Sequence, residues 1–261
     1  MKYFSCSIVI PAYNEAKRLP RTLQPILDFV KEKSWDAEVI VVNDGSADDT
    51  VNVVRAFSAA NPIVSLIDNP VNCGKGQSIR DGVQLAFGDI ILFADADNST
   101  PIQDAEKLVR AIEDGADIAI GSRWVDRKLQ VNPQPWYRRL NGRLYNLLLR
   151  SILGLNYRDT QNGFKAFTRP AAKTIFGLQR IGGWGFDAEV LYLAKKLGFT
   201  VREIPVEYRY YSEGSKIRPY RDGVRMLFEL LKVRWHARTG AYSISGQAKR
   251  GSAENLPDAP G

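Results

Sequence analysis

The chain has a single histidine, His236, and only two cysteines, Cys6 and Cys73, among 261 residues. With one imidazole, His-rich metal centres and His-based catalytic triads are excluded, so acid, base or metal work falls to Asp, Glu and amide side chains. The cysteines stand in no metal-ligand or redox spacing and read as a reduced pair of small buried side chains. No apolar run approaches the ~20 residues that a membrane span requires. A signal-peptide layout is also missing, because the apolar segment ending at Ile10 runs directly into Pro11. A protein made and kept in the cytosol is expected. There is no internal repeat.

With 44% hydrophobic residues, the chain is long enough to bury one large core. One α/β body over 1–242 is expected, followed by a small, polar, Pro-containing disordered tail over 243–261. The net charge of +7 is unevenly divided: residues 1–122 carry 11 basic and 18 acidic side chains, net −7, and residues 123–261 carry 25 and 11, net +14. The second half therefore faces something anionic: nucleic acid, an anionic membrane surface or a phosphorylated substrate.

Ser7 to Ile10 forms a short apolar strand closed by Pro11, with Ala12-Tyr13-Asn14-Glu15 as its loop. From about Pro20 to Lys33, Leu23, Ile26, Leu27 and Val30 recur on one helical face. Glu38 to Val42 reads as a second buried strand closed by Asn43-Asp44-Gly45-Ser46, and Ser46 or Asp48 can cap the helix that runs to Ala60. Ile63 to Ile67 is a third strand. Asn72-Cys73-Gly74-Lys75-Gly76 then opens a helix to Phe87. Strand Ile90 to Ala94, a helix from Ile102 to Asp114 and strand Asp117 to Ile120 follow, ending at Gly121-Ser122-Arg123. This alternation implies a mostly parallel, Rossmann-like central sheet flanked by helices.

Each strand tip in this half carries polar residues, the expected layout of a nucleotide site on such a sheet. The sharpest tip is Asp95-Ala96-Asp97. Two carboxylates separated by one small residue are costly together unless a cation sits between them, and a hard divalent ion, Mg2+ or Mn2+, takes oxygen ligands while keeping positions open for substrate phosphates. The bland reading of a bare Asp-x-Asp is a solvated turn. Gly74-Lys75-Gly76 offers backbone N–H groups and an ammonium at a helix N-terminus, although it lacks the spacing of a Walker A loop.

In the second half, Trp136 to Leu155 spaces Leu140, Leu144, Leu147, Leu148 and Ile152 on one side, with Arg139, Arg143 and Arg150 as a stripe beside them. An interfacial helix, with Leu144 and Leu148 in a headgroup boundary, and a core helix with a solvated edge fit this pattern equally. Asp159 to Lys165 reads as a polar loop before a short helix that follows Pro170. Asp187 and Glu189 open a helix to Leu197, where carboxylates are common as dipole partners. Thr200 to Tyr208 reads as the last strand. Arg221 to Trp235 is a second amphipathic helix, with Val224, Leu227, Phe228, Leu231 and Trp235 on one side and Arg225, Glu229, Lys232 and His236 on the other.

Ile8-Val9-Ile10-Pro11-Ala12-Tyr13-Asn14-Glu15, Val42-Asn43-Asp44-Gly45-Ser46 and Asp95-Ala96-Asp97, in that order, resemble the inverting family 2 glycosyltransferases of the GT-A fold. Asn72 to Gly76, Gly121-Ser122-Arg123, Arg158 to Lys165, Phe186 to Tyr192 and Glu213-Gly214-Ser215-Lys216 narrow the resemblance to the polyprenyl-phosphate hexosyltransferases, the dolichyl-phosphate β-glucosyltransferase branch among them. It covers about residues 5–242. It implies metal-dependent transfer of a hexose, glucose from UDP-glucose, to a polyprenyl monophosphate with inversion. The nucleotide-sugar half is 1–122 and the acceptor half 123–242.

By the same resemblance Asp95 and Asp97 hold the metal, and Pro11, Ala12, Tyr13, Glu15, Asp44, Asn72, Lys75, Ala96 and Gln161 complete the donor-binding set. Arg123 and Arg138 or Arg139 aim the acceptor phosphate. Asp187 stands where relatives with soluble acceptors place a base, and otherwise shapes the sugar pocket. Asn98-Ser99 departs from the usual Gly-Ala, and the N-terminal anchor of eukaryotic relatives has no counterpart. Attachment to the cytoplasmic face of a membrane is then peripheral, through an anionic surface or a membrane-anchoring protein partner.

The rival readings are a GDP-mannose-dependent mannosyltransferase, a metal-dependent nucleotidyltransferase and a nucleic-acid-binding module. The last lacks any recognised RNA or DNA motif, so no nucleic-acid partner is expected.

Overall fold

Runs of Val and Ile that bury both faces of a strand build the middle of one sheet. The computed structural model describes residues 4–132, 136–211 and 219–243, with the side chains of residues 136–141, 143 and 219–224 excepted. Its strands β1 (Ser5–Ala12), β2 (Asp36–Asp44), β3 (Val64–Asn69), β4 (Ile90–Ala94), β5 (Ile118–Ser122), β7 (Phe164–Thr168) and β8 (Val201–Pro205) form a seven-stranded sheet in the order β3-β2-β1-β4-β7-β5-β8. Every pairing is parallel except the two made by β7, which runs antiparallel to both β4 and β5. The α/β architecture expected from the alternating pattern is present, and strands from both halves of the chain share the sheet.

One face is covered by α1 (Leu19–Lys33), α2 (Thr50–Ala60) and α4 (Ala105–Glu113), which bury Leu23, Val54 and Leu108 against Ile8, Val41 and Leu92. The other carries α3 (Lys75–Leu85), α5 (Trp136–Leu153), α6 (Arg169–Leu178), α7 (Phe186–Leu197) and α8 (Pro219–Arg238) over Val9, Phe93 and Phe167. Asp48 accepts the Thr50 N–H at 3.1 Å just before α2, but the N-cap position expected of Ser46 or Asp48 is held by Asp49, whose side chain makes no capping bond.

Several expectations are corrected. The stretch Asp159 to Lys165 is not loop throughout: Phe164 begins β7, inside the sheet between β4 and β5, and its five residues are too few to show a period. The strand expected over Thr200 to Tyr208 splits. β8 ends at Pro205, which has no N–H to extend the ladder, and Tyr208–Arg209 (β9) pairs instead with Gln130–Asn132 (β6). Cys73 is exposed, because it sits in the loop before α3, whereas Cys6 is buried in β1.

On α5 the core side is Leu149 and Leu153, with Leu148 and Ile152 half-buried against it, while Leu144 and Leu147 are 57% and 59% exposed. Leu148 therefore belongs to the packing and not to an open face. On α8 Leu230 and Val233 are buried, and Leu227, Phe228, Leu231 and Trp235 are exposed. The sequence positions 244–261 and Glu213 to Lys216 lie outside the described residues.

Candidate active site

Because β7 runs against its neighbours, its N-terminal end lies at the edge where β1, β2, β4 and β5 finish, with Ala94 opposite Phe164. The segment that precedes β7 is thereby laid beside Asp95. A Cβ on Gly163 would stand 2.1 Å from Asp95 Oδ2, so glycine here lets the Asp95 carboxylate lie directly against the chain. Ala96 is buried, and its carbonyl accepts the Thr22 hydroxyl at 2.8 Å, tying the turn to α1. Asn98 closes the turn at φ +53°.

The two carboxylates differ in what compensates them. Asp95 meets the Lys75 ammonium at 2.5 Å. Asp97 is half-buried and accepts the Ser99 N–H at 3.0 Å. Burial first, then the neighbouring Asp95, pushes the Asp97 carboxyl above the ordinary carboxylate range. A carboxylate in that situation is the oxygen ligand a divalent cation would stabilise. Among the described residues no group of three or more His, Cys, Asp or Glu side chains forms a metal cage, and an ion held by one or two carboxylates that completes its shell with water and substrate phosphate needs none. The donor set fits Mg2+ or Mn2+.

Lys75 starts α3 directly after Gly74, whose φ of +96° and close approach to the Gly182 carbonyl exclude a side chain. Its ammonium also lies 5.5 Å from the ring centre of Trp184 and 5.9 Å from that of Phe186. Burial disfavours its charge, but Asp95 and Asp187 outweigh burial and raise its pKa, so the ammonium is permanent. Asp187, at the head of α7, pairs with Lys165 Nζ at 2.5 Å. Lys165 is fully buried on β7, also donates to the Asn162 carbonyl, and sits 5.1 Å from the Phe93 ring centre. Burial pushes the Asp187 carboxyl upward against the pull of Lys165 and Lys75.

On the other side, Asp44 is buried and its carboxylate takes the Cys73 N–H at 2.7 Å and the Gly74 N–H at 3.0 Å, while Asn72 donates to the Asp44 carbonyl at 3.1 Å. Asp44 thus shapes the loop that presents Lys75. Burial raises its carboxyl despite those bonds. Pro11 and Ala12 end β1, and the loops after β1 and β2 are stitched by Asn14, which accepts from Ala47 N at 2.7 Å and donates its own N–H to Ser46 Oγ at 2.8 Å. Tyr13 is 39% exposed at this edge. The Glu15 carboxylate is held by Arg18 at 2.5 Å.

At the acceptor end, Arg123 donates Nε and Nη2 to the two oxygens of buried Asp159, each at 2.7 Å, and stands 5.1 Å from the Tyr208 ring centre. Burial opposes its charge, but Asp159 outweighs it and raises its pKa further. One edge of its guanidinium fork is therefore committed within the protein. Gln161 Nε2 contacts Met226 Sδ of α8 at 3.9 Å, which turns it toward α8. Arg139 lies on α5, with its side chain outside those described. The edge thus gathers Asp95, Asp97, Lys75 and Asp187. Lys165, Gly163, Arg18 and Trp184 belong to it without having been assigned roles from sequence. A lysine inside the apolar run Phe164-Lys165-Ala166-Phe167 is the one local signal among them.

The model of "Glycosyl transferase family 2" matches residues 7–176. A dolichyl-phosphate beta-glucosyltransferase of Trichomonas vaginalis is 37% identical over 91% of this chain and 75% of its own length. A human protein of the same name is 35% identical over 93% of this chain and 79% of its own length. Among solved structures, glucosyl-3-phosphoglycerate synthase from Mycobacterium tuberculosis, in complex with Mn2+, UDP and phosphoglyceric acid, superimposes with a TM-score of 0.68 at 21% identity, covering 91% of this chain and 79% of that one. Another structure of that enzyme holds Mg2+ and UDP.

Proposed function

Since the chain belongs to glycosyl transferase family 2, we propose that it transfers glucose from UDP-glucose to a polyprenyl monophosphate of the dolichyl type, with inversion at the anomeric carbon. The observation that carries this reading is the edge where Asp97 stands beside the Lys75–Asp95 pair, in a chain whose relatives bear the dolichyl-phosphate beta-glucosyltransferase name. Membership of a glycosyltransferase family argues against the nucleotidyltransferase and nucleic-acid alternatives.

In this reaction an oxygen of the acceptor phosphate forms a bond to the anomeric carbon as the bond from that carbon to the diphosphate breaks. A phosphate monoester is already ionised at neutral pH, so the protein's task is aiming more than deprotonation. That agrees with an edge without histidine. Asp97, with Asp95, would hold Mg2+ or Mn2+, which supplies neutralisation of the charge growing on the leaving diphosphate. Lys75 adds a fixed positive charge on the donor side. Asp44 and Asn72 keep the Lys75 loop in place, and Pro11, Ala12, Tyr13 and Glu15 border the base and ribose.

Asp187, its charge matched by Lys165, lines the sugar pocket as a hydrogen-bond acceptor. Arg123 offers the acceptor phosphate the N–H groups that Asp159 leaves, Arg139 joins it from α5, and Gln161 closes the pocket toward α8. No helix among the described residues is long and apolar enough to cross a membrane. Leu144 and Leu147 of α5 and the exposed apolar residues of α8 would rest on the anionic, cytoplasmic face of a membrane, with or without an anchoring protein partner.

Glucose and mannose differ in the orientation of one hydroxyl, which a buried hydrogen-bonding pocket distinguishes by leaving groups unpaired in the wrong isomer. Calorimetric titration of UDP-glucose and GDP-mannose in Mg2+ or Mn2+, followed by turnover with polyprenyl phosphate, tests the assignment. UDP-glucose is expected to bind more tightly and turn over faster. The opposite order would overturn the glucosyl reading and leave a hexosyl transfer to lipid phosphate standing.

A further inference from the structure

Around α8 the described side chains sort into three stripes. Leu230 and Val233 enter the core, while Leu227, Phe228, Leu231 and Trp235 stand exposed. Between them run Arg225, Glu229, Lys232 and His236, whose spacing keeps them on one helical face. This middle stripe forms one wall of a cleft of about 470 Å³, and the opposite wall is Cys73 with the segment from Arg180 to Gly183. Trp235 lines the cleft as well.

The charge in the cleft is unbalanced. Its single carboxylate, Glu229, is buried and already accepts the Gly185 N–H at 2.7 Å and Arg225 Nε at 3.3 Å. Arg180 and Lys232 have no carboxylate within ion-pair distance among the described residues. Burial, Arg180 and Lys232 together push the His236 pKa down, and the enclosed His236 Nδ1 has no hydrogen-bond partner among the described residues. The Arg180 charge is felt by the buried Glu189 carboxylate without forming an ion pair with it. A recess walled by two cations that stand outside any ion pair among the described residues, with an amphipathic Trp on its lining, is shaped for an anion that also has an apolar part.

We propose that this cleft binds the phosphate of an anionic phospholipid headgroup, gripped by Arg180 and Lys232, while the exposed stripe of α8 lies in the adjoining apolar boundary. The lining of the cleft includes none of Asp95, Asp97, Lys75 and Asp187, although Cys73 and Gly182 adjoin the loop that presents Lys75, and its assignment to a lipid rests on the membrane-facing reading of α8. Trp235 is the link between the two, since it borders the cleft and is 62% exposed on the apolar stripe. Two basic groups at a membrane surface make a measurable share of binding, and neither side chain is part of the transfer machinery.

The full chain, wild type and Arg180→Gln/Lys232→Gln, is tested by co-sedimentation with vesicles of phosphatidylcholine alone and of phosphatidylcholine with phosphatidic acid. The single imidazole signal of His236 is followed by NMR during titration with inorganic phosphate. Both substituted side chains are exposed, so the fold is expected to be unchanged by circular dichroism. Wild type should prefer the phosphatidic acid vesicles. The double variant should lose roughly tenfold or more of that binding with no change on phosphatidylcholine alone, and inorganic phosphate should shift the His236 signal saturably only in the wild type.

If phosphate shifts the signal but both proteins bind phosphatidic acid vesicles equally, the source is a free phosphate and the lipid assignment falls. If neither measurement separates the two proteins, the cleft is not an anion site. A vesicle difference in a chain inactive with every donor would sustain the cleft and sink the glucosyl-transfer reading instead.

Discussion

Burial and the neighbouring Asp95 push the Asp97 carboxyl above the ordinary range, whereas Asp95, two residues away, is matched by Lys75. Asp97→Asn should therefore leave the thermal midpoint nearly unchanged and reduce turnover by several kcal/mol in barrier, about a hundredfold or more. Near-wild-type turnover at ordinary metal concentration would remove the carboxylate pair from the mechanism.

A second residue pair bears on stability. Burial would raise the pKa of Asp159, but the charge and hydrogen bonds of Arg123 outweigh burial and leave it below the ordinary value. The stabilisation from this pair is thus fully present above the unfolded-state value, about 3.9, and is lost as pH falls through the lower folded-state value. Asp159→Asn leaves the Arg123 charge buried without its partner, and should cost roughly 3–5 kcal/mol near neutral pH. Urea titrations between neutral pH and the acid limb should show the gap between variant and wild type narrowing as pH falls, and a gap independent of pH would show that the pair is not what links stability to acid.

At the scale of elements, α5 divides its leucines between the core and the outside. Leu149 and Leu153 are buried, and Leu144 and Leu147 are exposed. The paired changes Leu144→Glu and Leu147→Glu should release the protein from phosphatidylcholine vesicles by about tenfold or more while sparing transfer to a short, soluble acceptor. Retained vesicle binding would assign the contact to α8 alone. Leu148→Glu is expected to behave differently and lower the melting temperature, because Leu148 packs on the core. The heptad-like spacing of these residues made the helix legible, yet periodicity marks an apolar arc without saying which edge of it meets protein. The packing of α5 against α8 decides that.

For the whole molecule, β7 joins β4 to β5, so the first half of the chain cannot complete its own sheet. A fragment of residues 1–122 would leave an open ladder on β4 and strand β5 without a partner on either side. It should lack a cooperative urea transition, whereas the full chain should unfold with coincident circular dichroism and tryptophan fluorescence curves. A cooperative fragment would show that the two halves are independent bodies.

The features legible along the chain are local. Strand Ile90 to Ala94 was legible from five consecutive apolar residues, Asp95-Ala96-Asp97 from its turn chemistry, and the order of motifs from Ile8 to Asp97 pointed to the family. Tertiary structure alone decided the rest. Lys165 meets Asp187 across 22 residues, and Arg123 meets Asp159 across 36. Neither pairing has a local period, and each exists because an antiparallel β7 inserts between β4 and β5 and carries the residues before it to the edge where the parallel strands end. Burying Lys165 there obliges Asp187 to face it, since a buried charge is tolerated only when paired. Whether an apolar residue on α5 or α8 faces the core or the outside depends likewise on where the other helices lie.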